Sequence, residues 1–311
     1  MNKLVSIVIS CHNEEGNIRE LHKQLSVMLA DIGQDAEMIF VNDGSRDRTL
    51  LYCLEIQKTD PRVKIVNFTK NFGHEAAMIA GMNYAKGDAV AFMDADLQNP
   101  PGVMGELIEA WRGGEKIVVT RRRNYIRPGL IYGICHTIYY AALNGLSSVK
   151  IPRSRPDFRI LDREYVEFLK RFDERDILFR GMLSLVTNAE NLKTIEYDSP
   201  ERYAGETKYG FSLRSVILVF DSIFQFSTRP LLLALWLAVA MGLLSLGLGV
   251  YVIIERYIRY QPTPGYAAIM SAISFTAMVI LFVQAIIGVY IGKIHMEVKK
   301  RPLYFSEFIE K

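Results

Sequence analysis

Two long stretches without a charged side chain constrain this chain more than any other feature of its sequence. Residues 230–254 and 261–292 contain no Asp, Glu, Lys or Arg, and each is longer than the roughly 20 residues that cross a hydrocarbon core about 30 Å thick. They predict two membrane-spanning helices, at about 230–254 and 266–292, joined by a polar turn whose Pro-Thr-Pro-Gly sequence prevents helix continuation. Two buried helices of a soluble core are the less favoured alternative, because soluble helices of this length normally carry a polar stripe.

Basic residues indicate how the predicted hairpin is oriented. The turn holds Arg256 and Arg259 beside Glu255. The segment after the second stretch holds Lys293, Lys299, Lys300 and Arg301. This excess predicts a cytoplasmic C-terminal tail, and a hairpin returns the chain to the side on which residues 1–228 lie. The apolar stretch at residues 4–10 is short for a signal peptide, so we expect a multi-pass protein of the cell inner membrane with its large domain and both termini in the cytoplasm.

The overall composition excludes several classes of protein. Hydrophobic residues make up 50% of the chain and charged residues 23%, which is too apolar for disorder and too charged for a protein that lies wholly in the membrane. A net charge of +3 is too small to indicate nucleic-acid binding. Cys11, Cys53 and Cys135 form no CxxC pair, so neither a zinc cluster nor a disulfide framework is indicated, and a reducing compartment fits.

The first 120 residues alternate between strand and helix patterns. Short runs rich in Val and Ile predict strands at residues 4–10, 37–41, 63–68, 89–93 and 116–120. Segments with apolar residues at three- and four-residue spacing predict helices at residues 15–32, 47–59, 75–85 and 102–112. This alternation predicts an α/β fold with a mostly parallel sheet covered by helices on both faces, in which ligands bind at the carboxyl ends of the strands.

Polar segments follow the first four predicted strands. They are residues 11–15 (CHNEE), 42–47 (NDGSRD), 70–75 (KNFGHE) and 94–98 (DADLQ). One such segment is commonly an ordinary turn that caps a helix. Four of them at one edge of a sheet indicate a binding site.

Asp94 and Asp96 are the most specific indication of chemistry in the sequence. In an extended chain residues i and i+2 point to the same side, so both carboxylates are expected to face one cation, with the amide of Gln98 continuing the same parity. Two neighbouring carboxylates need a counter-charge, and Mg²⁺ typically takes one or two carboxylates together with substrate phosphate oxygens. The pattern predicts a Mg²⁺ or Mn²⁺ site that holds two phosphates.

Several longer blocks of sequence follow one another along the chain. They are SIVISCHNEE, FVNDGSRDRT, KNFGHEAAMIAGM, GDAVAFMDADLQNPP, PDFRILDREYVE, ERYAGETKYG, FSTRPL and GKIHMEVKKRPLY. In these blocks, over essentially its whole length, the chain resembles the inverting family 2 glycosyltransferases of GT-A (Rossmann-like) fold. More narrowly, it resembles the polyisoprenyl-phosphate glycosyltransferases, such as bactoprenol glucosyltransferases and dolichyl-phosphate mannose synthases. The resemblance implies transfer of a sugar from a nucleotide donor to the phosphate of a membrane polyprenol, with inversion at the anomeric carbon.

The resemblance also implies roles for individual residues. Metal and donor diphosphate are assigned to Asp94, Asp96 and Gln98, and the catalytic base to Asp157 of the DFR block. Nucleotide-sugar binding is assigned to residues at the strand ends, namely His12, Glu14, Asp43, Asn71, Asp94 and Asp96. Two anionic substrates need cations between them, and acceptor-phosphate binding is assigned to Arg121, Arg122, Arg127, Arg202 and Lys208. An open alternative for the basic run at residues 121–123 is a solvated or headgroup-facing patch.

Three histidines depart from the family's pattern. His12 stands where the family has an aromatic contact to the base, which leaves the base preference open. His74 replaces the lysine of the family's NFGK block, and His136 lies where basic residues are common. The three do not have a metal-ligand spacing, and we interpret the latter two as satisfied structural histidines.

Phosphate chemistry bears on the role of Asp157. A phosphate monoester has a second pKa of about 6, so the acceptor is mostly dianionic at neutral pH and hardly needs deprotonation. Asp157 is therefore expected either to act as a base or only to orient the acceptor and stabilise positive character on the sugar.

The segments near the membrane complete the predicted domain organisation. Residues 1–210 are expected to form the catalytic domain, 211–228 a juxtamembrane amphipathic segment, 229–293 the two membrane helices and 294–311 a cytoplasmic tail. Residues 129–146 and 211–227 are apolar and aromatic, and they are expected either to lie among lipid headgroups or to pack together as core helices.

These features predict a metal-dependent enzyme that moves a hexose from a UDP-sugar, with UDP-glucose favoured, to undecaprenyl phosphate for cell-envelope glycan modification. UDP-N-acetylglucosamine, an aminopentose donor and GDP-mannose remain alternatives. A processive polysaccharide synthase is less favoured, because the chain has no QxxRW motif and few predicted membrane helices. A non-catalytic scaffold would be expected to lose acids such as Asp94 and Asp157, and both are present. Because only two membrane helices are predicted, their association in a homo-oligomer is a further expectation.

Overall fold

The computed structural model describes residues 3–123, 156–172, 179, 192–200, 229–254 and 265–309. Contacts divide the chain into two units. The first contains the sheet and its helices and includes the C-terminal residues from Arg301 onward. The second contains the two long apolar helices.

The first unit is built on an eight-stranded mixed sheet. Its strands are β1 (Val5–Cys11), β2 (Ala36–Asn42), β3 (Val63–Phe68), β4 (Ala89–Asp94), β5 (Ile117–Arg122), β6 (Arg159–Asp162), β7 (Lys193–Tyr197) and β8 (Ser306–Ile309). The spatial order is β7-β5-β6-β4-β1-β2-β3-β8. The pairs β1–β2, β1–β4, β2–β3 and β5–β7 are parallel, whereas β6 is antiparallel to β4 and β5, and β8 is antiparallel to β3. The five strands predicted from sequence all run in one direction, which confirms the α/β class.

Helices cover both faces of this sheet. They are α1 (Ile18–Asp31), α2 (Thr49–Thr59), α3 (His74–Tyr84), α4 (Pro101–Arg112) and the short α5 (Arg163–Leu169). The apolar side chains of α1, α2 and α4 join one buried cluster and those of α3 and α5 join another. The four helices predicted from sequence are therefore confirmed, with ends that shift by up to three residues.

Helix α3 packs closely against the sheet at Gly81, where its buried side carries several small residues. Ala76, Ala77 and Ala80 are buried, and a Cβ added at Gly81 would lie 2.2 Å from Cγ1 of Val8 in β1. A larger residue at Gly81 would force α3 away from β1. The close packing determines where the first residue of α3, His74, can lie.

The C-terminal residues form an edge strand of the sheet, although the sequence predicted only a tail. Strand β8 pairs with β3, and Gln57 of α2 donates a hydrogen bond from Nε2 to the carbonyl of Ile309 at 2.7 Å. Tyr304 stacks on Phe68 with ring centroids 5.0 Å apart, and Phe308 stacks on Tyr84 at 4.3 Å. Sequence patterning missed β8 because four residues are too few for a periodic signal.

The second unit contains α6 (Arg229–Ile254) and α7 (Tyr266–Val298). Both are long and apolar enough to cross a membrane, with a mean hydropathy of 1.9 over Ala234–Tyr251 and 2.2 over Phe275–Val298. Most of their large hydrophobic side chains are exposed, which is typical of helices that face lipid. Helix α7 continues six residues past the predicted end at 292, because the basic residues after that point do not interrupt a helix.

The packing of the C-terminal strand predicts a large loss of stability when its aromatic residues are removed. In the full chain, Tyr304→Ala with Phe308→Ala should lower the free energy of unfolding by about 2–4 kcal/mol, since two ring stacks and their buried area are lost. The exposed edge of β3 should also promote association. Thermal unfolding of the solubilised protein measures the first effect and size-exclusion chromatography the second.

Phe305→Ala is the matched control, because the side chain of Phe305 is 69% exposed. We expect this variant to unfold close to the wild-type temperature. An equal loss in the control and in the double variant would contradict the packing described for β8.

Candidate active site

Strand register brings the predicted polar segments to one edge of the sheet. Ser10 at the end of β1 lies opposite Asp94 at the end of β4, and Cys11 lies opposite Asn42 at the end of β2. Asn42 in turn donates a hydrogen bond to the Oδ1 of Asn67 in β3 at 2.7 Å. The expectation that these segments meet is confirmed.

Asp43 holds the loop after β3 in place. Its buried carboxylate accepts hydrogen bonds from the backbone N–H of Phe72 at 2.6 Å and of Gly73 at 3.0 Å. Gly73 has a φ of +99°, which a residue with a side chain rarely adopts. A Cβ at Gly44 would lie 2.3 Å from the backbone carbon of Lys70, so the two loops touch through their backbones. Asn71, predicted to bind the nucleotide sugar, belongs to the loop that Asp43 fixes.

His12 and Glu14 lie beside this pair of loops. The Nδ1 of His12 donates a hydrogen bond to the carbonyl of Asp43 at 2.7 Å, which orients the imidazole. The carboxylate of Glu14 accepts from the Nδ2 of Asn17 at 2.6 Å, and its N–H donates to the hydroxyl of Thr49 at 2.8 Å. The structure therefore brings together His12, Glu14, Asp43 and the loop that contains Asn71.

The Asp94-Ala95-Asp96 sequence, here called the DxD segment, departs from the extended geometry expected from sequence. Strand β4 ends at Asp94 and residues 95–99 form turns and bends, with Leu97 at a φ of +60°. The expectation that Asp94, Asp96 and Gln98 alternate along one strand is therefore wrong, because the chain turns where β4 ends. The N–H of Gln98 instead donates to Oδ1 of Asp96 at 3.1 Å.

Both carboxylates nevertheless act on the same neighbour, Tyr197. Burial raises the pKa of Tyr197 in β7, Arg122 opposes that rise, and the negative charges of Asp94 and Asp96 both add to it. Asp94 remains about one third exposed. Among the described residues no group of three or more His, Cys, Asp or Glu side chains could hold a metal ion. The donor set that is present, two carboxylates open to solvent, fits a hard divalent ion that takes its other ligands from substrate phosphates and water.

Asp157 lies almost fully buried, at 3% exposure, and forms an ion pair with Arg159 of β6. The guanidinium of Arg159 lies 4.6 Å from the centre of the Phe179 ring. The N–H of Phe179 donates to Oε2 of Glu75, the second residue of α3, at 2.6 Å. A buried carboxylate is costly without a counter-charge, and Arg159 supplies one.

His74 lies between Asp94 and Asp157. Its Nδ1 lies 2.9 Å from the hydroxyl of Ser10 and 3.4 Å from Oδ1 of Asp94, and its Nε2 lies 3.6 Å from Oδ2 of Asp157. Burial disfavours the imidazolium, but the negative charges of Asp94, Asp157 and Glu75 outweigh it and raise the pKa of His74 to about 9. The sequence interpretation of His74 as a structural histidine missed its place between two site carboxylates.

Arg121 and Arg122, which were predicted to bind the acceptor phosphate, have partners on β7. Nη1 of Arg121 lies 3.4 Å from a carboxylate oxygen of Glu196, and Nε of Arg122 donates to the hydroxyl of Tyr197 at 3.1 Å. That hydroxyl donates to Oδ1 of the buried Asn99 at 3.0 Å. Arg127, Arg202, Lys208, His136 and the segments 129–146 and 211–228 lie outside the described residues.

Sequence reasoning missed Ser10, Arg159 and Tyr197 as members of this site. Arg159 lies two residues after Asp157 in the DFR block, and that closeness was a signal available in the sequence. Nothing local marks Tyr197, because its position at the DxD segment depends on the pairing of β5 with β7.

The fold and the site define a class of protein: an α/β enzyme with carboxylates at the carboxyl edge of its sheet. Residues 6–169, more than half of the chain, match the model of glycosyl transferase family 2. The chain belongs to this family and is a glycosyltransferase, and the resemblance described from its sequence blocks is confirmed.

Three relatives match over nearly full length. An uncharacterized glycosyltransferase of Synechocystis sp. is 36% identical over 300 residues, which cover 96% of this chain and 93% of the relative. The bactoprenol glucosyl transferase of Shigella phage SfII is 34% identical over 301 residues, with 96% of each chain covered. The prophage bactoprenol glucosyl transferase homolog of Escherichia coli is 32% identical over 308 residues, with 99% of each covered.

Similar solved structures are more distant. Glucosyl-3-phosphoglycerate synthase from Mycobacterium tuberculosis, solved with Mn²⁺, UDP and phosphoglyceric acid, is 20% identical. The match covers 71% of this chain and 78% of that chain, with a TM-score of 0.47.

The hydrogen bonds of Asp43 predict how an amide would act in its place. Asp43→Asn replaces one acceptor oxygen by a donor that faces backbone N–H groups, so we expect a loss of about 1–3 kcal/mol in unfolding free energy and weaker UDP binding. Thermal unfolding and calorimetric titration with UDP measure the two effects. Asp35→Asn is the control, since Asp35 is exposed just before the opposite end of β2. Wild-type stability and UDP affinity in Asp43→Asn would contradict the role of this carboxylate.

Proposed function

We propose that the protein transfers glucose from UDP-glucose to the phosphate of bactoprenol, undecaprenyl phosphate, with inversion at the anomeric carbon. The observation that carries the proposal is the nearly full-length similarity to bactoprenol glucosyl transferases. The aligned length extends over the two long apolar helices, which suit an enzyme whose acceptor is a membrane lipid. We place the reaction at the cytoplasmic face of the inner membrane, with residues 1–210 as the catalytic domain, and assign it to cell-envelope glycan modification.

The donor side of the proposed site is the carboxyl edge of β1, β2 and β4. Asp94 and Asp96, with Gln98 beside them, would hold Mg²⁺ or Mn²⁺, which when bound offsets the charge of the donor diphosphate and of the departing UDP. His12, Glu14 and Asp43, with the loop that Asp43 fixes, would bind the nucleoside. The hydrogen bond from His12 to the carbonyl of Asp43 supports this assignment, because it presents an oriented imidazole face beside the loop.

The acceptor side consists of Asp157 and the basic residues. A phosphate oxygen of the lipid attacks C1 of glucose, the bond from C1 to the UDP oxygen breaks, and UDP leaves with the bonding electrons. Because the phosphate is already mostly dianionic, little or no proton has to be removed, and the carboxylate of Asp157 would stabilise positive character on the sugar as its bond to UDP breaks. Arg121 and Arg122, together with Arg127, Arg202 and Lys208, would offset the repulsion between the two anionic substrates.

Transfer of label to lipid tests the proposed reaction. The purified protein is incubated with undecaprenyl phosphate, Mn²⁺ and radiolabelled nucleotide sugars, and the product is extracted into organic solvent. We expect label from UDP-glucose in the lipid phase. Label only from UDP-N-acetylglucosamine, an aminopentose donor or GDP-mannose would overturn the choice of glucose, and no lipid label from a folded protein would overturn the reaction.

The metal assignment predicts the effect of removing its first carboxylate. Asp94→Ala should lower transfer by at least about 100-fold, because donor diphosphate charge is no longer offset, while insertion into membranes is retained. Mn²⁺ binding in the presence of UDP, followed by electron paramagnetic resonance, should weaken in parallel. Asp31→Ala, at an exposed aspartate of α1, should keep wild-type values. Full activity of Asp94→Ala with Mg²⁺ or Mn²⁺ would refute the metal site.

A further inference from the structure

His74 lies among the site residues but has no role in the proposed reaction. It is the first residue of α3, yet its ring lies against groups from three other segments. Nδ1 approaches Ser10 of β1 and Asp94 of β4, and Nε2 approaches Asp157, which precedes β6. One imidazole therefore separates a carboxylate of the donor side from the carboxylate of the acceptor side.

Contacts on the backbone side of His74 fix the position of its imidazole. Asp43 fixes the N–H of Gly73, the residue before His74, and the small residues of α3 allow the helix to pack closely against β1. Ser10 adds a contact of 2.9 Å to Nδ1. A side chain anchored at its backbone and at one ring nitrogen has little freedom left, so the other nitrogen, Nε2, is directed toward Asp157.

The residue after His74 supports the opposite side of Asp157. Glu75 accepts a hydrogen bond from Phe179, the ring of Phe179 lies against the guanidinium of Arg159, and Arg159 forms the ion pair with Asp157. The first turn of α3 thus reaches Asp157 by two routes, directly through His74 and indirectly through Glu75. Such support on two sides is what a group needs if its orientation matters to a reaction.

We propose that His74 is a positioning residue of the glycosyl transfer: its imidazole holds the carboxylate of Asp157 at a set distance from Asp94, so that this carboxylate faces the sugar that the acceptor phosphate attacks. This inference rests on the proposed function. It concerns the orientation of Asp157, and it adds no bond-making step and no proton transfer to the reaction. His74 acts through Asp157 and not by contact with either substrate.

A positioning role predicts a loss in turnover with little loss in donor binding. Misplacement of a reacting group by about 1 Å can cost about 100-fold in rate, whereas a change confined to the transition state leaves ground-state binding unaltered. We expect His74→Ala to lower kcat by about 10–100-fold and to change KM for UDP-glucose by less than about threefold. His74→Lys, which again places a nitrogen donor between the two carboxylates, should recover part of the lost kcat.

His22→Gln is the matched control for His74→Gln. His22 belongs to α1 and pairs with Asp60 at 2.9 Å, so the same chemical change is made outside the site, and we expect wild-type kcat. His74→Gln is also the variant on which the proposal is judged if His74→Ala fails to fold. Unchanged kcat in a folded His74 variant would overturn the proposal. A rise in donor KM or a loss of Mn²⁺ affinity with kcat unchanged would overturn it too, because His74 would then serve donor binding.

A measurement without substrate separates this inference from the proposed function. The contact between His74 and Asp157 predicts that the unfolding temperatures of His74→Gln, Asp157→Asn and the double variant are not additive. Additive changes would overturn the contact and with it the positioning role, whatever reaction the enzyme catalyses. If the wild-type protein leaves the lipid unlabelled but the variants unfold non-additively, the proposed donor or acceptor is wrong and the contact between His74 and Asp157 is retained.

Discussion

The parallel pairing of β1 with both β2 and β4 is the constraint on which the site depends. Apart from Ser10, every residue of β1 is buried, and a shift in register by one residue would turn each of these buried side chains to the opposite face of the sheet. The same register places Ser10 opposite Asp94 and Cys11 opposite Asn42. Burial of the central strand β1 therefore also aligns the polar residues at its end. The register of β1 thus determines both the packing of the core and the position of the site.

The charges at this edge follow from the substrates that such an enzyme brings together. Asp94 and Asp96 are the residues proposed to hold a divalent cation, whereas Asp157 is buried and needs a counter-charge from the protein itself. Arg159 and His74 lie on different sides of it. In the proposed arrangement a metal ion would lie between these carboxylates and the diphosphate, and Arg121 and Arg122 of β5 would lie toward the acceptor. Such a separation of charge would allow two anionic substrates to approach each other.

Much of the fold was predictable because its elements repeat a local pattern. The strands β1 to β5 and the helices α1 to α4 each carry enough residues for apolar periodicity to show, and the long helices α6 and α7 show as uncharged stretches. Strands β6 and β8 have four residues each, and β6 inserts antiparallel between β4 and β5. No pattern that short distinguishes a strand from a loop. The C-terminal strand was missed for this reason, although its aromatic residues were visible.

The sequence by itself determined the α/β class, the two apolar helices, the family and the candidate acids Asp94, Asp96 and Asp157, because each is recorded in neighbouring residues. Tertiary structure alone decided which side chains meet. Ser10 and His74 are 64 residues apart in the chain, and their contact exists only because β1 and α3 pack closely. The turn after Asp94 and the hydrogen bonds of Asp43 are likewise settled by neighbouring strands and loops. Local chemistry identifies the groups, and long-range packing gives them their partners.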